Sequence, residues 1–215
     1  MSSEYAPPTA PLVVLHRDDH LLVVDKPAGL LSVPGKGAHL SDCLLSRLEA
    51  VDAATLLVHR LDRDTSGVMV FARTKLAQRH LGLQFERRHT SKTYIARITG
   101  HPDTDGGQID LPLIADWPNR PRQMVDFERG KPARTGWRVL EREPRSTRVE
   151  LTPETGRSHQ LRVHMAELGH PILGDPLYAE GEARAAARMM LHAETLTIRH
   201  PDGGAPTTFR TACPF

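Results

Sequence analysis

Two short segments hold most of the residues able to do covalent or proton chemistry. The first, His59-Arg60-Leu61-Asp62-Arg63-Asp64-Thr65-Ser66-Gly67, sets two carboxylates between two arginines. A carboxylate beside a guanidinium stays ionised at neutral pH, which suits it to act as a nucleophile or base and not as an acid. The same residues also fit a salt-bridged turn closed by Thr65 and Gly67, because ion-pair networks imitate sites. The second segment, Thr155-Gly156-Arg157-Ser158-His159-Gln160-Leu161-Arg162-Val163-His164, reads as the entry into a helix, whose first N–H groups can receive an anion. Arg157 and Arg162 can reach a carboxylate or a phosphate. His159 and His164 do not have the i, i+4 spacing of a helical metal pair, and the twelve histidines and two cysteines nowhere cluster as ligands. No metal is therefore expected. GxSxG, GxxxxGK[ST] and GxGxxG are all absent, which removes the residues that serine-hydrolase, P-loop and dinucleotide chemistry need.

The elements that must position these segments are short. Leu12–Leu15 and Leu21–Asp25 flank a polar turn and predict a hairpin, ended by Asp25-Lys26-Pro27-Ala28-Gly29. Leu56–Val58 and Val68–Ala72 predict strands on either side of the first segment, an arrangement in which a loop borne by rigid strands carries the reactive groups. Thr74 can cap a helix running to about Arg88, with Leu76, Ala77, Leu81 and Phe85 on one face. The alternation over Lys92–Thr99 puts Tyr94, Ala96 and Ile98 on one side of a strand, and residues 100–108 read as a turn region. Further strands are expected around Thr135–Leu140, Arg148–Thr152 and Leu196–Ile198. A helix should start near Ser158 with Leu161, Met165 and Leu168 as its stripe and Gly169 as its end, and another should cover Glu182–Met189. Hairpin strands with few helices predict an α+β fold. Residues 1–11 are expected to be a loose arm and residues 12–215 one domain.

Charge narrows the partners. The net +2 conceals a net +6 over residues 57–97 and +5 over 118–148, separated by −4 over 98–117. Of the 28 basic residues only five are lysine, and arginine's fork suits phosphates and base edges. Two basic blocks fit a polyanion, although ordinary solvated faces would have the same composition. No apolar run approaches the length of a membrane span, and the N-terminus shows no secretion signal. Cys43 and Cys213 are read as reduced thiols, so a cytoplasmic location is expected.

Taken together the motifs resemble those of the RluA-type pseudouridine synthases: His59-Arg60-Leu61-Asp62 with Thr65-Ser66-Gly67, then Lys92-Thr93-Tyr94, then Gly156-Arg157-Ser158-His159-Gln160-Leu161-Arg162. The flanks at residues 25–29, 169–175 and 191–193 agree, and Asp116–Pro121 with Gly130–Ala133 resembles the branch that modifies both 23S ribosomal RNA and tRNA. The resemblance covers about residues 12–213. It implies the pseudouridine synthase fold, a long, mixed, mostly antiparallel sheet with the catalytic loop in a basic cleft, and no separate RNA-binding module. It implies an isomerase that breaks a uridine's N-glycosidic bond, turns the uracil and rejoins it through carbon 5, with no cofactor. By the same resemblance Asp62 is the catalytic carboxylate and Arg162 keeps it ionised. Tyr94 stacks on the uracil with its hydroxyl near the carbon-5 proton, and Arg60 fills the space a flipped base leaves. Arg157 supports or binds phosphate, His59 and Gln160 are supporting hydrogen-bonding residues at the substrate, and Trp117 is an ordinary core or loop aromatic. The implied partner is RNA, 23S rRNA and tRNA stem-loops, with no DNA or membrane, and the chain is expected to act as a monomer. A nucleoside glycosidase, which also uses a loop aspartate, and a non-catalytic RNA-binding protein are the alternatives.

Overall fold

The structure, a computed structural model, describes residues 5–215 and divides them into two compact units, one running up to Ser91 and resuming over Ala193–Pro214, the other formed by Lys92–His192 with Phe215. In the first unit, β1 (Val13–Arg17) and β2 (Leu21–Lys26) make the expected antiparallel hairpin, with Val13 opposite Asp25. The helix α1 (Leu44–Glu49), which the sequence pattern did not show, is capped by the buried Cys43, whose sulfur accepts from the Ser46 N–H. β3 (Leu56–Leu57) and β4 (Ser66–Ala72) are antiparallel and bracket the first chemical segment; β2 pairs with β4 on its other edge. All seven residues of β4 are buried, so it reads as a continuous apolar run and not as an alternation. α2 (Lys75–Glu86) starts on Thr74, whose hydroxyl accepts from the Ala77 N–H. Its buried face is Ala77, Leu81 and Gln84. Leu76, expected there, is 80% exposed because it lies about 100° round the helix from Ala77.

The second unit contains β5 (Ser91–Thr99), β6 (Gly106–Asp110), β9 (Arg134–Arg142) and β10 (Ser146–Pro153), paired antiparallel in the order β5-β10-β9-β6. β6 begins inside the region read as turn. β7 (Leu113–Ala115) and β8 (Gln123–Val125) form a separate antiparallel hairpin. α3 (Gln160–Glu167) buries Leu161 and Met165 as expected and ends at Gly169, whose φ is +88°; Leu168 is partly exposed instead of closing the stripe. Ala96 and Ile98 pack with Val149, Leu151, Trp137 and Met165 in one core, with Tyr94 against it, so the alternation of β5 holds. The helix expected over Glu182–Met189 is only α4 (Gly181–Arg184). Tertiary contacts override its propensity: the Met190 N–H donates to Leu173, and the Arg188 carbonyl crosses Gly174 where an added Cβ would lie 1.8 Å away.

β11 (Leu191–Arg199) leads the chain back to the first unit, where β12 (Pro206–Arg210) pairs antiparallel with it and β4 is its neighbour. Leu196, Ile198 and Phe209 there join Leu21, Val23, Val68, Val70 and Leu81 in the first unit's core. The fold is α+β, as expected. Of the arm expected over residues 1–11, residues 1–4 lie outside the described residues. From Tyr5 on the segment is anchored: the Tyr5 hydroxyl donates to Asp42 O and accepts from Leu31 N–H, and Arg47 donates to Pro8 O.

Candidate active site

The segment carrying Asp62 is gripped at its main chain. Ser32, buried, donates its hydroxyl to Leu61 O at 2.6 Å and accepts from Leu61 N–H, gripping both polar groups of the residue before Asp62. Asp62 O accepts from Thr65 N–H, which closes a turn with Arg63 and Asp64 at its centre. Lys26, 0% exposed, donates Nζ at 2.9 Å to each of the carbonyls of Pro27, Arg63 and Thr65. A buried ammonium needs such a set of acceptors, because burying a charge without hydrogen bonds is prohibitive. Gly29 N–H adds a further bond to Arg63 O. The loop then enters β4 through Gly67, whose φ of +118° and whose approach to Ala193, where a Cβ would lie 2.2 Å from the carbonyl oxygen, admit only glycine.

Side chains divide the labour. Arg63 takes Asp64 in a bidentate pair at 2.9 Å, so the second carboxylate of the segment is matched within the turn. His59 Nε2 accepts from Val70 N–H, and its ring stacks on Phe85 at 4.5 Å. That fixes the neutral imidazole as the Nδ1–H tautomer and makes His59 a brace between loop and β4. Arg60 is exposed beside Asp62 in the loop.

In the second unit Tyr94 lies on β5 opposite Leu151 of β10, half-buried with its ring against the core. Arg162 is 4% exposed and meets Asp175, fully buried, through Nε–Oδ2 at 2.7 Å and Nη2–Oδ1 at 2.8 Å. Burial alone would raise the Asp175 carboxyl, but the Arg162 hydrogen bonds and charge, with the N–H groups of Leu177 and Tyr178, hold it below the usual carboxylate range. Arg162 therefore keeps a fixed fork orientation. Arg157 donates Nε to Pro132 O.

Gln160 spends its amide on the protein's own framework. Its Oε1 accepts from Thr155 Oγ1 and Arg157 N–H, and its Nε2 donates to Arg134 O and Thr135 Oγ1. Both lone pairs and both hydrogens are spent, and the residue is buried, so it locks the strand-to-helix turn. The chain continues through Thr135 to His164 Nδ1, while His164 Nε2 donates to Leu111 O; burial lowers the His164 pKa and keeps it neutral.

Asp175, Lys26, Ser32 and Tyr178 escaped the sequence reading as site supports. Asp175 and Lys26 stand in quoted flanking motifs, yet nothing in their spacing says which loop they hold. Tyr178 accepts from Gln123 N–H and bonds His159 Nδ1, and its only sequence signal is a lone aromatic after a Gly-Asp-Pro turn. Among the described residues no three His, Cys, Asp or Glu side chains gather as a metal site.

Comparisons with known proteins agree on one assignment. A family model described as RNA pseudouridylate synthase matches residues 20–167. A protein of Escherichia coli O6:H1, named dual-specificity RNA pseudouridine synthase RluA, is 55% identical over 98% of both chains. Its namesake in Yersinia pestis is 53% identical over 95% of this chain and all of its own. Among solved structures, human RNA pseudouridylate synthase domain containing 1 superposes with a TM-score of 0.81 at 30% identity, covering 98% of this chain and 87% of that one.

Proposed function

The chain belongs to the RNA pseudouridylate synthase family, an isomerase acting on uridine in RNA, and with that membership as premise we propose that it modifies two RNA classes, 23S rRNA and the tRNA anticodon stem-loop, with Asp62 as its catalytic carboxylate. The observation that carries the dual reading is identity above half, over nearly the whole of both chains, to proteins named for dual specificity.

The proposed chemistry is an internal exchange of bonds. Asp62 assists cleavage between N1 of the uracil and the ribose; the uracil turns, carbon 5 bonds to the ribose, the carbon-5 proton leaves and N1 takes one up. No atom is gained or lost overall. Uracil is a better leaving group than an alkoxide, so a single carboxylate suffices where glycosidases need a second acid. The main-chain cage of residues 61–65 supports this role, since a nucleophile or base must be held to a fraction of an ångström. Arg162 is assigned as the supporting cation of the reaction, its fork set by Asp175. Tyr94, packed against its core, stacks on the uracil, and its hydroxyl helps remove the carbon-5 proton, accepting it as its own proton passes to solvent. The exposed Arg60 fills the gap left when the base leaves its stack. Arg157 binds or supports a phosphate contact, with His59 and Gln160 bracing the two segments. The protein acts in the cytoplasm, as a monomer.

Mapping pseudouridine in cellular RNA with and without the gene tests the reading. Loss at one rRNA site and one tRNA site together is expected; loss in one RNA class alone overturns dual specificity.

A further inference from the structure

The tip of the β7–β8 hairpin holds an indole that nothing in the reaction above uses. Trp117, a loop aromatic and not a core one, is 65% exposed; the chain's other tryptophan, Trp137, is buried. The guanidinium carbon of Arg120 sits 3.0 Å from the centre of the Trp117 ring, so one ring face carries a cation. Among the described residues Arg120 makes no ion pair, whereas Arg134 and Arg138 of the same basic stretch are matched by Asp110 and Glu150. The tip is stiff. Asn119 donates its amide to the Asp116 carboxylate and its N–H to Asp116 O, while the Asp116 N–H reaches Arg122 O and the Arg122 N–H reaches Asn119 O. Its root is moored through Gln123 N–H to the Tyr178 hydroxyl and through Arg122 to Leu177 O, and Val125 packs on Val163 of α3. An exposed aromatic is thus presented on a rigid arm, rooted in the helix that carries Arg162.

We propose that Trp117 and Arg120 form a stacking platform for an unpaired base of the RNA substrate, distinct from the uridine that is isomerised, and so select RNAs that offer such a base. Every base has a π-face that an aromatic can accept without reading its sequence, and the arginine adds cation–π attraction and affinity for the adjoining phosphate. A protein surface would favour a broader apolar patch with little charge, whereas this indole carries a cation and lies in a stretch of net +5. The inference rests on the chain acting on RNA, as its family membership states.

The test compares wild type, Trp117→Ala, Trp117→Phe and Arg120→Ala on an anticodon stem-loop and on a 23S rRNA hairpin, reading Kd and the single-turnover rate at saturating enzyme. Trp117→Ala should weaken binding about tenfold to a hundredfold for at least one RNA that the wild type modifies. Its saturating rate should stay within about threefold of wild type. Trp117→Phe should restore most of the affinity, and bound RNA should shield the wild-type tryptophan emission from acrylamide. Unchanged Kd of Trp117→Ala on every RNA the wild type modifies, or quenching that RNA leaves unchanged, overturns the platform and assigns the surface to another partner or to none. Should the wild type modify only one RNA, the dual-specificity reading fails while this comparison still runs on the RNA that remains.

Discussion

Replacing Lys26 by methionine isolates what one buried ammonium does for the Asp62 loop. The substitution keeps an unbranched stem and removes three bonds of 2.9 Å to the carbonyls of Pro27, Arg63 and Thr65. A hydrogen bond to a charged partner is worth about 1.5–3 kcal/mol net, which would put the sum of three on the order of 5–9 kcal/mol. Two effects offset it. The ammonium no longer has to be kept out of water, a relief of several kcal/mol, and Arg63 O retains the Gly29 N–H. The expected net loss is about 2–4 kcal/mol, or roughly 5–15 °C in Tm for a chain of this size. Well below the new Tm, the single-turnover rate should fall about tenfold to a hundredfold, because the Arg63 and Thr65 carbonyls of the Asp62 turn lose their anchor and an ångström of misplacement has that effect. Thermal melting and pseudouridine formation at saturating enzyme read both quantities, with the exposed Lys75→Met as control. A Lys26→Met protein with wild-type Tm refutes the bond arithmetic, and one that melts early yet turns over at the full rate refutes the positioning role.

Asp62→Asn should abolish pseudouridine formation while leaving Tm and RNA affinity near wild type; turnover above about a thousandth of wild type would contradict the assignment. Tyr94→Phe keeps the ring and removes the hydroxyl, so it should bind RNA normally and slow by about a hundredfold or more at proton removal. A near wild-type rate would reduce Tyr94 to stacking. Asp175→Asn leaves the buried Arg162 charge uncompensated and should lower stability by about 3–5 kcal/mol in denaturant titrations; a smaller effect than that of an exposed pair such as Arg134→Gln would count against it. The folded-state pKa of His164 is depressed, so its contribution is complete above about 6.5 and is lost as pH falls below that value towards the folded pKa. Wild type should therefore lose up to about 1.4 kcal/mol per pH unit more than His164→Gln on acidification from pH 6.5, and parallel stability curves would show the contrary.

The sequence disclosed those features whose physics is local. Thr74 as a cap, Gly169 as a helix end and the side-sharing of Tyr94, Ala96 and Ile98 follow from neighbours within a few residues, and all are observed. What failed depended on contacts distant in sequence. Leu76 is the local exception, apolar but about 100° round the helix from Ala77, whereas Gln84 takes a buried place by clasping the main chain of Arg199. The helix after residue 184 gave way to the packing of Arg188 on Gly174. In the site, the carboxylate-bearing segment was visible as a pattern of charges, but its cage was not. Lys26 and Ser32 lie about thirty to forty positions before the carbonyls they serve, a separation over which spacing carries no signal.

The return of β11 and β12 to the first unit has a consequence for synthesis. Three of the ten buried residues in one core cluster of that unit, Leu196, Ile198 and Phe209, come from residues 196–209, whereas the intervening unit is contiguous from Lys92 to His192. Domains ordinarily mature on the ribosome in order from the N-terminus. Here that order is inverted: the middle of the polypeptide can collapse first, and the part made earliest waits with Val68 and Val70 unsheltered until the end emerges. A nascent chain stalled before residue 193 would therefore carry the Asp62 segment on an unfinished scaffold.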